Sequence, residues 1–204
     1  MGIDTFETDI NQHTGNSLIT TLIFENQGGN IMTVKILKEK YWKNMRCVTT
    51  EQGKFVLFWG NNQAFSNFYE KEFDYEGRTL KYSEQAFMIE KAKLFEPAKI
   101  EAIANAKNPA EAKYLGRKIQ NFDDKVWNEK RFDAMVNALK AKFQDTELKN
   151  ILLATEGATL IEASPYDKIW GTGYHVKDNR NFEQPIGQNL LGKALMHVRN
   201  ELKN

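Results

Sequence analysis

The chain has 204 residues, 41% of them hydrophobic, which is enough for one substantial core and tight for two. Its 28 basic and 27 acidic residues exclude a general polyelectrolyte surface for nucleic acid, while one local phosphate site needs only a few donors. The lone cysteine, Cys47, excludes an intramolecular disulfide and a cysteine-based zinc cluster, and no apolar run approaches the roughly 20 residues of a membrane span.

Residues 1–30 are polar and rich in Asn, Thr and Gly, broken by the apolar run Leu18–Phe24, which reads as one strand. After Gly28-Gly29, Met32–Leu37 reads as a second strand before the aromatic Tyr41-Trp42 segment. The start carries neither a secretory h-region nor a transit-peptide composition, so the cytoplasm is the expected compartment. Phe55–Trp59 reads as a buried strand followed by a Gly60–Gln63 turn. Glu72–Tyr75 and Arg78–Tyr82 flank Glu76-Gly77 as a hairpin.

The hairpin leads into Ser83–Phe95, SEQAFMIEKAKLF, read as a helix with Ser83 as its N-cap. At about 100° per residue, Phe87, Met88 and Phe95 form one stripe, and Glu84 and Lys91 fall inside it. Charges on an apolar face need a partner or a polar cavity, so the pattern points to a site. The plainer alternatives are an early-turn acid favoured by the free backbone N–H groups and a snorkelling lysine.

Downstream the pattern is mostly helical. Pro97 starts one helix, Asn108-Pro109 caps another, and Asp123 or Asp124 caps a longer one to about Phe143 with Phe132, Met135, Val136, Leu139 and Phe143 inward. Thr146 precedes a helix to Ala154, Thr159–Ile161 reads as a short strand, and Leu190–Glu201 closes the chain as a helix. Trp127 lies about 140° around its helix from Phe132, outside the apolar stripe, so either a tertiary contact or a ligand ring covers it. Trp170 sits in the loop SPYDKIWGTGYH, where glycines permit close chain approach and the indole is placed to form a pocket wall. Asp167, Asp178 and His175 accompany it without metal-ligand spacing, and neither a Walker motif nor a full dinucleotide fingerprint is present.

Taken in order, Phe65-Ser-Asn-Phe68, Tyr82-Ser-Glu-Gln85 with Lys91, Trp127, Trp170-Gly171, and Gly187–Gly192 followed by Leu195–Arg199 resemble the YbiA-like family, also called the NADAR family. The resemblance covers about residues 54 to 200. It implies a compact α+β fold, mainly helical with a small β component, with residues 51–204 as the catalytic domain and 1–50 as an N-terminal extension. It also implies an N-glycosidase that cleaves a C–N bond at ribose C1′, with no cofactor and no metal.

The substrates so implied are phosphorylated ribosylamino-pyrimidine intermediates of riboflavin biosynthesis or ADP-ribosylated guanine, as nucleotide or in nucleic acid. The alternative is a noncatalytic module that binds ADP-ribose or a modified base. By motif the family's glutamate falls on Glu84, its lysine on Lys91 and its tryptophans on Trp127 and Trp170. Glu84 then activates water or steadies a sugar cation, Lys91 meets a phosphate, and the tryptophans fix base or sugar. Asn67, Phe68 and Asn189 are expected to contact substrate. Thr172 stands where riboflavin-type members carry an aspartate, with Asp167 a possible electrostatic substitute, and Gln85 replaces a histidine common in those members.

Overall fold

The computed structural model describes residues 20–25, 31–36 and 45–203. Strands β1 (Thr20–Glu25) and β2 (Ile31–Ile36) pair antiparallel from Thr20↔Ile36 to Glu25↔Ile31, overlapping the two strand-like runs read from sequence. Tyr41-Trp42 lies outside the described residues. Next come β3 (Arg46–Thr50) and β4 (Gly53–Phe58), an antiparallel pair. The sequence reading has no strand at β3, whose mixed RCVTT composition suits a partly exposed edge and gives no clean alternation.

Strands β5 (Phe73–Tyr75) and β6 (Arg78–Leu80) form the expected hairpin. Glu76 and Gly77 both take positive φ, 54° and 76°, as a two-residue turn that follows the strand twist requires. Helix α1 (Ser83–Phe95) follows, but its N-cap is Tyr82 rather than Ser83. The Gln85 carboxamide oxygen accepts from the backbone N–H of Lys81 and Tyr82 at 3.0 and 3.1 Å, closing the helix start, while Ser83 Oγ donates to Asn67 Oδ1 at 3.0 Å.

A 3-10 turn at Pro97–Lys99 runs into α2 (Ile100–Ala104). Then α3 (Pro109–Arg117) and α4 (Asp124–Lys142) start at Asn108 and Asp123, whose side chains accept from the N–H of Glu111 and Val126. Helix α5 (Thr146–Leu153) begins one residue earlier than expected, because Asp145 caps it by accepting from Leu148 N–H at 3.0 Å. Strand β7 (Ala158–Glu162) precedes the long loop, the short α6 (Arg180–Glu183) and α7 (Leu190–Glu201).

The order β3-β4-β7 makes β4 and β7 parallel neighbours, with α1 through α5 in the connection between them. Alternate residues serve two faces. Val56, Phe58, Ala158 and Leu160 join the main core with the helices, while Phe55, Leu57 and Ile161 meet Val176 of the loop and Phe182 of α6. Phe182 stacks on Phe55 with centroids 5.0 Å apart. The α+β class, mainly helical with small sheets, is as the sequence implied. Among the described residues no helix is long and apolar enough to cross a membrane.

Helix α7 lies against β7. Arg199, buried, donates to the carbonyls of Thr155 and Ala158 at 2.5 and 2.9 Å. At Gly192 an added Cβ would stand 2.1 Å from the Leu160 carbonyl, so only glycine permits this approach. Gly192→Ala is expected to cost about 1–3 kcal/mol. In thermal denaturation this should appear as a Tm lowered by several degrees; an unchanged Tm would contradict the packing.

Candidate active site

A cavity of about 560 Å³ lies between α1, α3, α4, the start of α7 and the loops that follow β4 and β7. Its α1 wall carries Glu84, Phe87, Met88 and Lys91 of the stripe placed by the sequence, while Phe95, the stripe's remaining member, packs on Phe122 instead. They lie on a helix that is buried almost all round over its first two turns.

Glu84 is 5% exposed. Burial pushes its carboxyl up to about 7; Lys113, Asn67 and Arg117 pull it down and the charge of Asp167 adds to the rise. Its hydrogen-bond partner is distant, since Asn67 Nδ2 stands 3.5 Å from Oε2 and 3.2 Å from Met135 Sδ. Asn67 is itself fixed, because its Oδ1 accepts from Ser83 and its carbonyl accepts from Glu84 N–H at 3.2 Å. The loop that bears Asn67 and Phe68 is held from behind. Gln63 Oε1 accepts from Trp59 N–H at 2.8 Å, and the fully buried Lys142 donates to the Ser66 carbonyl at 2.6 Å. Burial lowers the Lys142 ammonium to about 7.

Lys91 donates from Nζ to the Gly116 carbonyl at 2.9 Å and lies 4.1 Å from the Phe122 ring centroid and 5.8 Å from that of Trp127. Burial and then Arg117 lower its pKa. Lys113 and Arg117 of α3 line the same cavity, a cationic pair missing from the sequence reading. Their i,i+4 spacing was the available signal, since it puts both on one helix face.

Trp127 and Trp170 come together around Phe87, with centroids 5.2 and 5.0 Å from it. Trp127 thus finds its cover on α1 and still lines the cavity. Asp167 also lines it, while Asp167 Oδ1 accepts from the N–H groups of Ile169 and Trp170, both at 2.8 Å, and so sets the turn that presents the indole. Trp59 and the exposed Tyr166 add a further aromatic pair, centroids 6.2 Å apart.

Thr172 and Asn189, read from sequence as substrate contacts, are placed otherwise, for neither lines the cavity. The Thr172 hydroxyl donates to Asn181 Oδ1 and stands 3.4 Å from the Glu162 carbonyl. Asn189, in the left-handed region at φ 52°, spends its amide on β7. Its Nδ2 donates to the Leu160 carbonyl at 2.8 Å and its Oδ1 accepts from Glu162 N–H at 3.0 Å. Both bonds run to the backbone of β7, so the amide ties the start of α7 to that strand.

Glu162 is the acid that the sequence reading missed. It lines the cavity, Oε2 is inaccessible to solvent and has no partner, and burial with the nearby Asp167 charge raises its carboxyl to about 8 against the pull of Lys113. Period 2 along β7 was the clue: Ala158, Leu160 and Glu162 share the core-facing side.

The NADAR domain model matches residues 57–203. This chain belongs to the NADAR domain family. It is 36% identical over 166 residues to the N-glycosidase R617 of Acanthamoeba polyphaga mimivirus, covering 74% of this chain and 98% of that protein. To the N-glycosidase YbiA of Escherichia coli it is 34% identical over 139 residues, 68% of this chain and 80% of the relative. The NMR structure of E. coli YbiA superposes with a TM-score of 0.59 at 30% identity, over 72% of this chain and 84% of the other. A riboflavin biosynthesis protein PYRR of Zea mays is 38% identical over 108 residues, half of this chain but 16% of that protein. The activity class that follows from these relatives is N-glycosidase, which retires the noncatalytic alternative.

Withdrawing Glu84 from water has a measurable cost. The folded chain holds this proton more tightly than an unfolded carboxyl of pKa 4.5, so stability falls as pH rises from there through about 7. Glu84→Gln should leave Tm nearly unchanged at pH 5 and raise it at pH 8, by an amount corresponding to up to about 3 kcal/mol. A Tm difference independent of pH would refute this desolvation.

Proposed function

We propose that this N-glycosidase hydrolyses the bond between ribose C1′ and a base or amine nitrogen in a phosphorylated ribosyl or ADP-ribosyl compound. One observation carries the reading: the buried Glu84 carboxylate shares a single cavity with the cations Lys91, Lys113 and Arg117 and with the indoles of Trp127 and Trp170. Cleavage at C1′ develops oxocarbenium character on the sugar. An ionised Glu84 beside that carbon takes a proton from the attacking water and offsets the positive charge. Its raised pKa makes it a stronger base than a solvated carboxylate and leaves it partly ionised at neutral pH.

The cations suit the phosphate end. Lys91, already bonded to the Gly116 carbonyl, keeps further N–H donors, and Arg117 and Lys113 extend the positive wall along α3. The indoles of Trp127 and Trp170, buttressed by Phe87, offer flat faces for base or sugar. Phe68 adds an apolar edge and Lys113 lies 5.7 Å from its ring, while Asn67 orients Glu84 and Asp167 contributes negative field toward the developing sugar cation. The PYRR relative is named for riboflavin biosynthesis, which favours a ribosylamino-pyrimidine 5′-phosphate as one substrate to try; ADP-ribosylated guanosine is the other.

A mass-resolved hydrolysis panel of these two compounds with NAD and free ADP-ribose tests the reading. One of the two should release base or amine over multiple turnovers. Glu84→Gln should cut kcat by about 100-fold or more with folding intact, and undiminished turnover would remove Glu84 from the chemistry. For Arg117→Ala, kcat/KM should fall about tenfold or more on the phosphorylated substrate and much less on its dephosphorylated analogue. Equal losses on both would argue against a phosphate contact.

A further inference from the structure

We propose that Glu162 is the acid that delivers a proton to the departing nitrogen while Glu84 takes one from the attacking water. The proposal rests on the N-glycosidase reading above and divides its chemistry between two carboxyls. Glu162 ends β7 on the same side as Ala158 and Leu160, the side that faces the helices, and lines the cavity that Glu84 enters from α1. A carboxyl kept there for structure alone would have its oxygens bonded, yet Oε2 is shielded from solvent and unpartnered. Such an atom waits for a hydrogen-bonding group supplied by a ligand.

The surroundings hold Glu162 in place. Its backbone N–H donates to Asn189 Oδ1 at 3.0 Å, its carbonyl accepts from Thr172 N–H at 3.0 Å, and a Cβ on Gly171 would stand 2.8 Å from that carbonyl. Thr172 and Asn189 are therefore positioning residues for this acid. Two acids near one reaction centre divide the roles when their environments differ. Glu84 has the Asn67 amide and the charges of Lys113 and Arg117 to favour its anion. The Asp167 charge opposes ionisation of both, but Glu162 has only Lys113 against it, and so retains its proton to higher pH.

The step balances as hydrolysis. The water oxygen bonds to C1′ as the C1′–N pair withdraws onto nitrogen, that pair takes the Glu162 proton, and the proton of water passes to Glu84. Exchange with solvent resets both carboxyls. Besides each other, the charged and titratable groups facing the pair are Lys91 from α1, Lys113 and Arg117 from α3, and Tyr166 and Asp167 from the loop after β7.

The test compares Glu162→Gln with the native enzyme on ribosylamino-pyrimidine 5′-phosphate and on 4-nitrophenyl ribofuranoside 5-phosphate, whose leaving group departs without a proton. A roughly 100-fold or larger loss of kcat is expected on the amine substrate, with the alkaline fall of its pH profile abolished, and less than about tenfold loss on the nitrophenyl substrate. Equal losses on both, or a retained alkaline limb, would overturn the assignment. Difference infrared spectroscopy of the free enzyme at pH 7 supplies a readout independent of turnover. A protonated-carboxyl band should be present in the native enzyme, persist in Glu84→Gln and shrink in Glu162→Gln to the part that Glu84 contributes, which titrates away near pH 7; its absence from the native enzyme, or a band that Glu162→Gln leaves unchanged, would also overturn the proposal. If Glu162→Gln folds poorly, the band in Glu84→Gln should still titrate away near pH 8, and a band lost well below neutrality would refute the acid. A native enzyme inactive on both compounds and on the wider panel would overturn the substrate reading. An active native enzyme that Glu162→Gln leaves unimpaired would overturn the acid alone.

Discussion

Two carboxyls, Glu84 and Glu162, are withdrawn from water into one cavity, and the surrounding structure is organised around that constraint. Each is presented by a rigid element, α1 in one case and the end of β7 in the other. Behind Glu84 stands a loop fixed by Gln63, Ser83 and the buried ammonium of Lys142. Behind Glu162 stands the start of α7, through Asn189 and the close approach at Gly192. Burial of both carboxyls, with the Asp167 charge nearby, holds their protons well above the usual carboxylate range.

The parallel pairing of β4 with β7 brings these parts together. It sets the loop after Phe58 beside the loop after Glu162, and the helices of the long connection close over the gap between them. Charge is graded across the result. The α3 side and Lys91 are cationic, while Glu84, Glu162 and Asp167 supply the acidic side. Such a gradient suits a ligand with an anionic end and a carbon that turns positive during reaction.

The same arrangement explains why the conspicuous motifs divide into two groups. Glu84, Lys91, Trp127 and Trp170 face the cavity, whereas Gln85 and the residues of Gly187–Gly192 mainly assemble it. Gln85 closes the start of α1 and reaches the carbonyl of Ala104 at 2.8 Å, so it joins two helical segments rather than meeting a ligand. Thr172 and Asn189 belong with it. A polar side chain in a motif is as readily a backbone clamp as a ligand contact, and only its partners tell which.

Most helices and several boundaries follow from local sequence, because caps such as Asn108 and Asp123 and the 3.6-residue period are local properties. It likewise placed Glu84 and Lys91 on one apolar stripe, and the spacing of Lys113 with Arg117 and of Leu160 with Glu162 was there to be read. Tertiary structure alone decided that these faces meet. Periodicity states which side chains share a surface, but not which distant surface opposes it. The β4–β7 pairing, the destination of the Asn189 amide and the isolation of Glu162 Oε2 all depend on contacts between residues far apart in the chain.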